Sequence, residues 1–165
     1  MKRLILMRHT KSDWSGALTS DHDRMLNPRG RRSAADLGDW LRDNGRVPDE
    51  VLCSSAARTR ETYVRLNLSA DITAHFERGL YLATEDQILD RLQRAKGDVV
   101  LMVGHNPGIG ACAENLLPAP LPHPQFTKYP TGATLVADFE IDHWADARWG
   151  NANARHFVVP RELES

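Results

Sequence analysis

No stretch of this sequence stays apolar for the about 18–20 residues that a membrane-spanning helix needs, so a helical integral membrane protein is excluded at the outset. Met1-Lys2-Arg3 followed by Leu4 to Met7 imitates the start of a secretion signal, but the apolar part is short and runs into Arg8 and His9. The expectation is a cytoplasmic protein. Excess charge is also missing: 21 Lys and Arg face 22 Asp and Glu, a formal net charge of −1. That balance gives no electrostatic case for duplex nucleic acid or an anionic membrane, while leaving room for a local basic pocket. Cysteine is scarce. Cys53 and Cys112 are far apart, form no CxxC and sit in apolar segments, so they read as two reduced core thiols. His75, His123, His143 and His156 have no metal-ligand spacing and read as surface or packing residues. There is no internal repeat, and the only biased segment is Pro118 to Pro130, which holds five of the nine prolines.

What is present suits one domain, residues 1–165, with a sizeable core. Leu4 to Met7 is a continuous apolar run, too short for a helix core and without alternation, as in a central strand covered on both faces. It delivers Arg8, His9, Thr10, Lys11 and Ser12 at its end. A long polar loop follows from Lys11 to Asn27, containing Trp14, a candidate cover for whatever site lies there, and Asp21-His22-Asp23-Arg24. Asn27-Pro28 is a helix start, Ala34, Leu37, Gly38 and Leu41 form its apolar stripe, and Gly45 supplies a stop. Glu50 to Cys53 is a second strand ending in Ser54-Ser55, and a helix from Ala56 carries Arg58 in its first turn. Ile72 to Phe76 is a weaker strand, and a helix is expected from about Glu85 to Ala95. Val99 to Val103 is the clearest buried strand and ends in Gly104-His105-Asn106-Pro107-Gly108. A helix from about Ile109 to Leu117, the proline segment as a lid or rim loop, and two late strands (Thr134 to Phe139 and Arg155 to Val159) complete an α/β layered sheet with crossover helices.

Three strands thus end in groups suited to an anion: Arg8-His9, Ser54-Ser55 leading to Arg58, and His105. Parallel strands bring such ends to one crevice. Two guanidinium groups offer forked, permanently charged donors for a tetrahedral phosphate. An imidazole between them is a nucleophile toward phosphorus, and a second imidazole can stabilise charge on the transferring group. Such chemistry calls for no metal or other cofactor.

Arg8-His9-Thr10-Lys11-Ser12, Ser54 to Arg58 with Thr62, and Val103-Gly104-His105-Asn106 resemble the signature segments of the histidine phosphatase, or phosphoglycerate mutase-like, superfamily. The likeness is closer to its SixA-type phosphohistidine phosphatase branch. That likeness runs through Lys11-Ser12-Asp13-Trp14, Asp21 to Arg24 with Leu26-Asn27 and Arg29-Gly30, Leu80-Tyr81, Asn106-Pro107 and Pro130 to Ala133. The resemblance implies a three-layer α/β/α sandwich with a mostly parallel central sheet. It implies a phosphorylated nucleophile at His9, a phosphate pocket of Arg8, Arg58 and His105, and a supporting hydroxyl at Ser12. The superfamily's usual glycine after the histidine is Thr10 here, a mark of the small branch. For a general acid, Glu77 lies just beyond a strand end where larger relatives keep theirs, with Asp21 and Asp23 as alternatives. A phosphoramidate substrate would need such an acid less. The implied partner is a phosphorylated protein, such as a histidine phosphotransfer domain, or a small phosphorylated substrate. A phosphomonoesterase, a mutase, a metallohydrolase and a non-catalytic phosphoprotein-binding module are the competing readings.

Overall fold

The computed structural model describes residues 1–16 and 18–164. Its centre is a six-stranded sheet of β1 (Lys2–Arg8), β2 (Glu50–Ser54), β3 (Thr73–Glu77), β4 (Val99–Gly104), β5 (Thr134–Phe139) and β6 (Ala152–Val158). The order across the sheet is β3-β2-β4-β1-β5-β6. β3, β2, β4 and β1 run parallel, whereas β5 pairs antiparallel with β1 and β6 antiparallel with β5. The late strands are therefore antiparallel, with β6 on the edge and starting at Ala152, three residues before the expected Arg155. A register shift between Val136 and Ala137 separates the two halves of the β5–β6 ladder.

Four helices cover the faces: α1 (Pro28–Asp43), α2 (Ala57–Leu66), α3 (Glu85–Leu92) and α4 (Gly108–Leu116). Strand residues alternate between two cores. Ile5 and Met7 join Val51, Cys53, Leu101 and Val103 beneath Leu37 and Leu41 of α1 and Leu66 of α2. Leu4 and Leu6 join Leu52, Val100 and Met102 beneath Ile88, Leu92, Cys112 and Leu116 of α3 and α4. The period-2 geometry of a strand explains why Leu4 to Met7 shows no polar alternation: each face of β1 meets its own helical layer, and all four side chains are fully buried. The two thiols lie in opposite cores, and burial pushes that of Cys53 up to about 12.

Local chemistry sets the element ends. Asn27 caps α1 by accepting from the Gly30 amide at 2.8 Å, with Pro28 in the first turn. Thr84 and Gln87 form a reciprocal capping box on α3. The loop from Lys11 to Asn27, apart from Ala17, which lies outside the described residues, is pinned at its base. Ser12 bridges Leu26, and the Asn27 amide donates to the Lys11 carbonyl at 3.0 Å. A side chain at Gly30 would collide with that same Lys11 carbonyl, so the first loop packs directly on the backbone of α1.

The proline segment is a rim: its second half buries Phe126 and Tyr129 completely. The Tyr129 hydroxyl donates to the Leu6 carbonyl and accepts from the Leu135 amide, tying the segment to β1 and β5. Among the described residues no helix is long and apolar enough to cross a membrane.

Candidate active site

β1, β4 and β2 are neighbours and parallel, so the residues following them share one edge of the sheet. A cavity of about 340 Å³ opens there, lined by Arg8, His9, Ser12, Arg58 and His105 together with Arg24. The His9 and His105 ring centroids are 5.4 Å apart.

His9 is held by its backbone and its ring. Its amide donates to the Gly104 carbonyl at 3.0 Å, and ring Nδ1 lies 2.6 Å from the Thr10 carbonyl oxygen. A carbonyl only accepts, so Nδ1 carries the hydrogen and the Nε2 lone pair is left free. Burial lowers the His9 pKa to about 3, the Thr10 carbonyl opposing and the charges of Arg8, Arg58 and Arg24 reinforcing the shift. His105 is lowered to about 3 as well, by burial first and then by the charges of His9 and Arg58. Both rings are neutral at pH 7, the state in which His9 can attack an electrophile.

The arginines are anchored in ways that leave Nε and further N–H groups of each without a protein partner. Arg8 Nη1 donates to the Tyr129 carbonyl at 3.2 Å. Arg58, itself buried, donates from Nη1 to the Asp21 carbonyl at 2.6 Å and from Nη2 to Asp21 Oδ2 at 3.0 Å. Among the described residues four buried side-chain nitrogens have no hydrogen-bond partner, and three of them, Arg8 Nε, Arg58 Nε and His105 Nδ1, belong to residues lining the cavity, the fourth being Arg46 Nε elsewhere. Buried donors are almost always satisfied, so three orphans around one cavity mark a site built for an acceptor-rich anion.

Residues 4–81 match the model of the histidine phosphatase superfamily (branch 1). A provisionally assigned phosphohistidine phosphatase SixA from Nakamurella multipartitia superposes with a TM-score of 0.84, at 31% identity over 96% of each chain. One from Agrobacterium tumefaciens gives 0.79 at 25% identity, covering 96% of this chain and 98% of that one. An uncharacterised protein of Mycobacterium tuberculosis is 36% identical over 94% of this chain and all of its own length. The chain belongs to the histidine phosphatase superfamily, in its SixA-type branch. It is a phosphatase.

Within this SixA-type site, Thr10 has a specific environment. The Thr62 hydroxyl donates to the Arg58 carbonyl at 2.7 Å, accepts from the Thr10 amide at 3.1 Å, and lies 3.3 Å from the Thr10 hydroxyl. A hydroxyl directly after His9 thus links the end of β1 to α2, a bond that glycine could not make.

The phosphatase cavity brings together Arg8, His9, Ser12, Arg58 and His105 of the expected set, but not Glu77. Glu77 ends β3, three strands from β1, which at about 4.8 Å per strand is about 14 Å away. Its two carboxylate oxygens accept from Arg91 Nε and Nη2 at 2.7 and 2.8 Å, and that guanidinium holds it below the usual carboxylate range. The expectation of a protonated Glu77 at the site is therefore corrected. Asp21 is nearer, yet it accepts from Tyr81, Arg24 and Arg58 and is held far below the usual range, chiefly by the Tyr81 hydroxyl. Asp23 is exposed and faces the ring of His22.

Arg24 and Tyr81 are lining and supporting residues that carry the resemblance in the sequence but to which it assigned no catalytic or phosphate-binding role. Arg24 donates to Ser12 Oγ and Asp21, and its guanidinium lies 3.6 Å from the Trp14 ring centroid. Trp14 itself is exposed and edges the cavity rather than closing it. Arg24 is the one cation between Lys11 and Pro28, a signal that could have singled it out. Among the described residues no group of three His, Cys, Asp or Glu is placed to hold a metal ion.

Proposed function

We propose that this protein removes phosphate from phosphohistidine on a partner protein, a histidine phosphotransfer domain being the natural candidate, by way of a covalent phosphohistidine on His9. The phosphoryl group binds among Arg8, Arg58, Ser12 and His105, which line the cavity with two guanidinium groups, a hydroxyl and an imidazole. His9 Nε2 attacks phosphorus, the bond from phosphorus to the leaving nitrogen breaks, and the partner's imidazole departs. Water then attacks the phosphorus of phospho-His9, the P–N bond breaks, and inorganic phosphate leaves with His9 regenerated.

The observation that carries the choice of substrate is the state of the carboxylates. An alkoxide leaving group needs a proton at the moment of bond cleavage. Glu77 is engaged by Arg91, and Asp21 is held ionised by Tyr81, Arg24 and Arg58, so neither keeps a proton at neutral pH. A phosphorylated imidazole takes its proton from solvent on the ring nitrogen away from phosphorus and leaves as a neutral ring. It is the substrate that such a cavity serves.

The test is a panel of phosphohistidine protein, phosphoserine peptide and sugar phosphates, run on wild type and His9→Ala. The expected result is turnover of phosphohistidine at the highest kcat/KM, acid-labile phosphate trapped on wild type, and neither in the variant. Preference for a phosphomonoester, or full activity in His9→Ala, would overturn the proposal.

A further inference from the structure

Ser54 closes β2, is fully buried, and does not line the phosphatase cavity. Its hydroxyl oxygen lies 2.7 Å from His105 Nε2 and accepts from the Ala56 amide at 3.3 Å. A serine hydroxyl has one hydrogen to give and two lone pairs to offer. The Ala56 amide can only donate, and among the described residues the hydroxyl has no other polar partner. The one acceptor in reach of the Ser54 hydrogen is therefore Nε2 of His105.

That assignment fixes the ring. A neutral imidazole that accepts at Nε2 carries its hydrogen at Nδ1, and Nδ1 is the buried atom without a partner. The opposite tautomer would place a hydrogen on Nε2 and leave the Ser54 hydroxyl a buried donor with no acceptor, which carries the full desolvation penalty of that group.

We propose that Ser54 is a positioning residue that holds the proton of His105 on Nδ1, making this ring a hydrogen-bond donor to the phosphoryl group. A neutral His105 with its hydrogen on Nε2 would present a lone pair to a phosphoryl oxygen and repel it. If the ring takes up a second proton when the phosphoryl group arrives, the Ser54 hydroxyl rotates and accepts from Nε2–H. Nδ1–H is retained in both states, so the donor is available throughout the transfer. The backbone carbonyl of Thr10 fixes the hydrogen of His9 on Nδ1 and frees its Nε2. Ser54 fixes that of His105 on the same nitrogen, but here Nδ1 is the atom left free. The pair of rings therefore offers one lone pair and one N–H to the same ligand.

The role of the donor rests on the phosphohistidine reading above, whereas the tautomer does not. The experiment therefore has two arms, on 15N-histidine-labelled full-length protein. Two-bond 15N–1H correlation at pH 7.5 reads which nitrogen of His105 is protonated, with His105→Gln assigning the signals. Wild type should show the Nδ1–H form, Ser54→Ala a mixture or the Nε2–H form, and Ser54→Thr the wild-type form. In the kinetic arm, loss of a transition-state donor lowers kcat in Ser54→Ala by roughly ten- to a hundredfold with KM little changed, and Ser54→Thr recovers most of it. An Nε2–H ring in wild type overturns the proposal without any variant, as does unchanged kcat in a folded Ser54→Ala. Absence of phosphohistidine turnover in wild type would instead overturn the substrate assignment and leave the tautomer result standing.

Discussion

Replacing Glu77 by Gln separates stability from chemistry at the position where sequence reasoning placed the general acid. The Glu77–Arg91 pair is bidentate, at 2.7 and 2.8 Å, with the Arg91 side chain 13% and that of Glu77 30% exposed. A sheltered, forked pair of this kind contributes about 1–2 kcal/mol, above the range of exposed pairs. Gln keeps the size and one acceptor but loses the charge, so most of that contribution goes. For a chain of this length the Tm falls by roughly 2–8 °C. The pair also dictates the pH dependence. Arg91 lowers the folded pKa of Glu77, so its stabilisation is full above the unfolded carboxylate pKa and disappears as pH falls through the folded value. Wild type and variant should converge in acid. Activity follows another rule: loss of a general acid costs roughly 10²–10⁴ in rate, whereas here the turnover of phosphohistidine should stay within about threefold of wild type. Urea melts from pH 7 down to about pH 2.5, paired with steady-state phosphate release at pH 7, test both halves. A hundredfold loss of kcat with an unchanged Tm would refute the reasoning.

Two further outcomes follow from packing and from the buried rings. A methyl at Gly38 would lie well inside contact distance of the Leu66 carbonyl where α1 crosses α2. Gly38→Ala should thus lose roughly 1–3 kcal/mol to overpacking, only partly offset by the roughly 0.5–1 kcal/mol that alanine gains in a helix, and show a lower denaturation midpoint. His9 and His105 have folded pKa values lowered to about 3, so between that value and about 6.5 the unfolded chain binds more protons. Stability therefore falls as pH drops through this window, by at most about 1.4 kcal/mol per pH unit for each ring. Melts from pH 7 to 5 measure the slope, and imidazole C2–H titration should show no inflection near 6.5 for either residue.

The parts of this molecule legible in its sequence are those that depend on local periodicity and on topology. Leu4 to Met7 and Val99 to Val103 announce central strands because both faces are covered, and Asn27-Pro28 announces a helix because its cap is local. Once β1, β2 and β4 are parallel neighbours, the juxtaposition of Arg8, His9, Arg58 and His105 needs no side-chain detail. The start of β6 was less legible: its exposed face and the register shift in its ladder weaken the alternation that marks a strand.

The general acid was misread for a physical reason that the same topology supplies. Glu77 does sit at a strand end on the correct edge of the sheet, level with Ser54 in the register of β2 and β3. The strand order, however, puts β3 on the outside and β1 three strands away, and strand order is set by the crossovers rather than by any local pattern. Which way the carboxylate turns is then decided by Arg91, a partner fourteen residues on that lies in another layer. The Asp21 to Arg24 loop was illegible for the converse reason, since its side chains are ordered by Ser12, Arg58 and Tyr81 from three separate segments. Both points concern carboxylates and bear on the proposed chemistry: a cavity lined by Arg8, Arg24, Arg58 and two neutral imidazoles, with Glu77 and Asp21 both held ionised, supports the reading of a leaving group that needs no carboxyl acid.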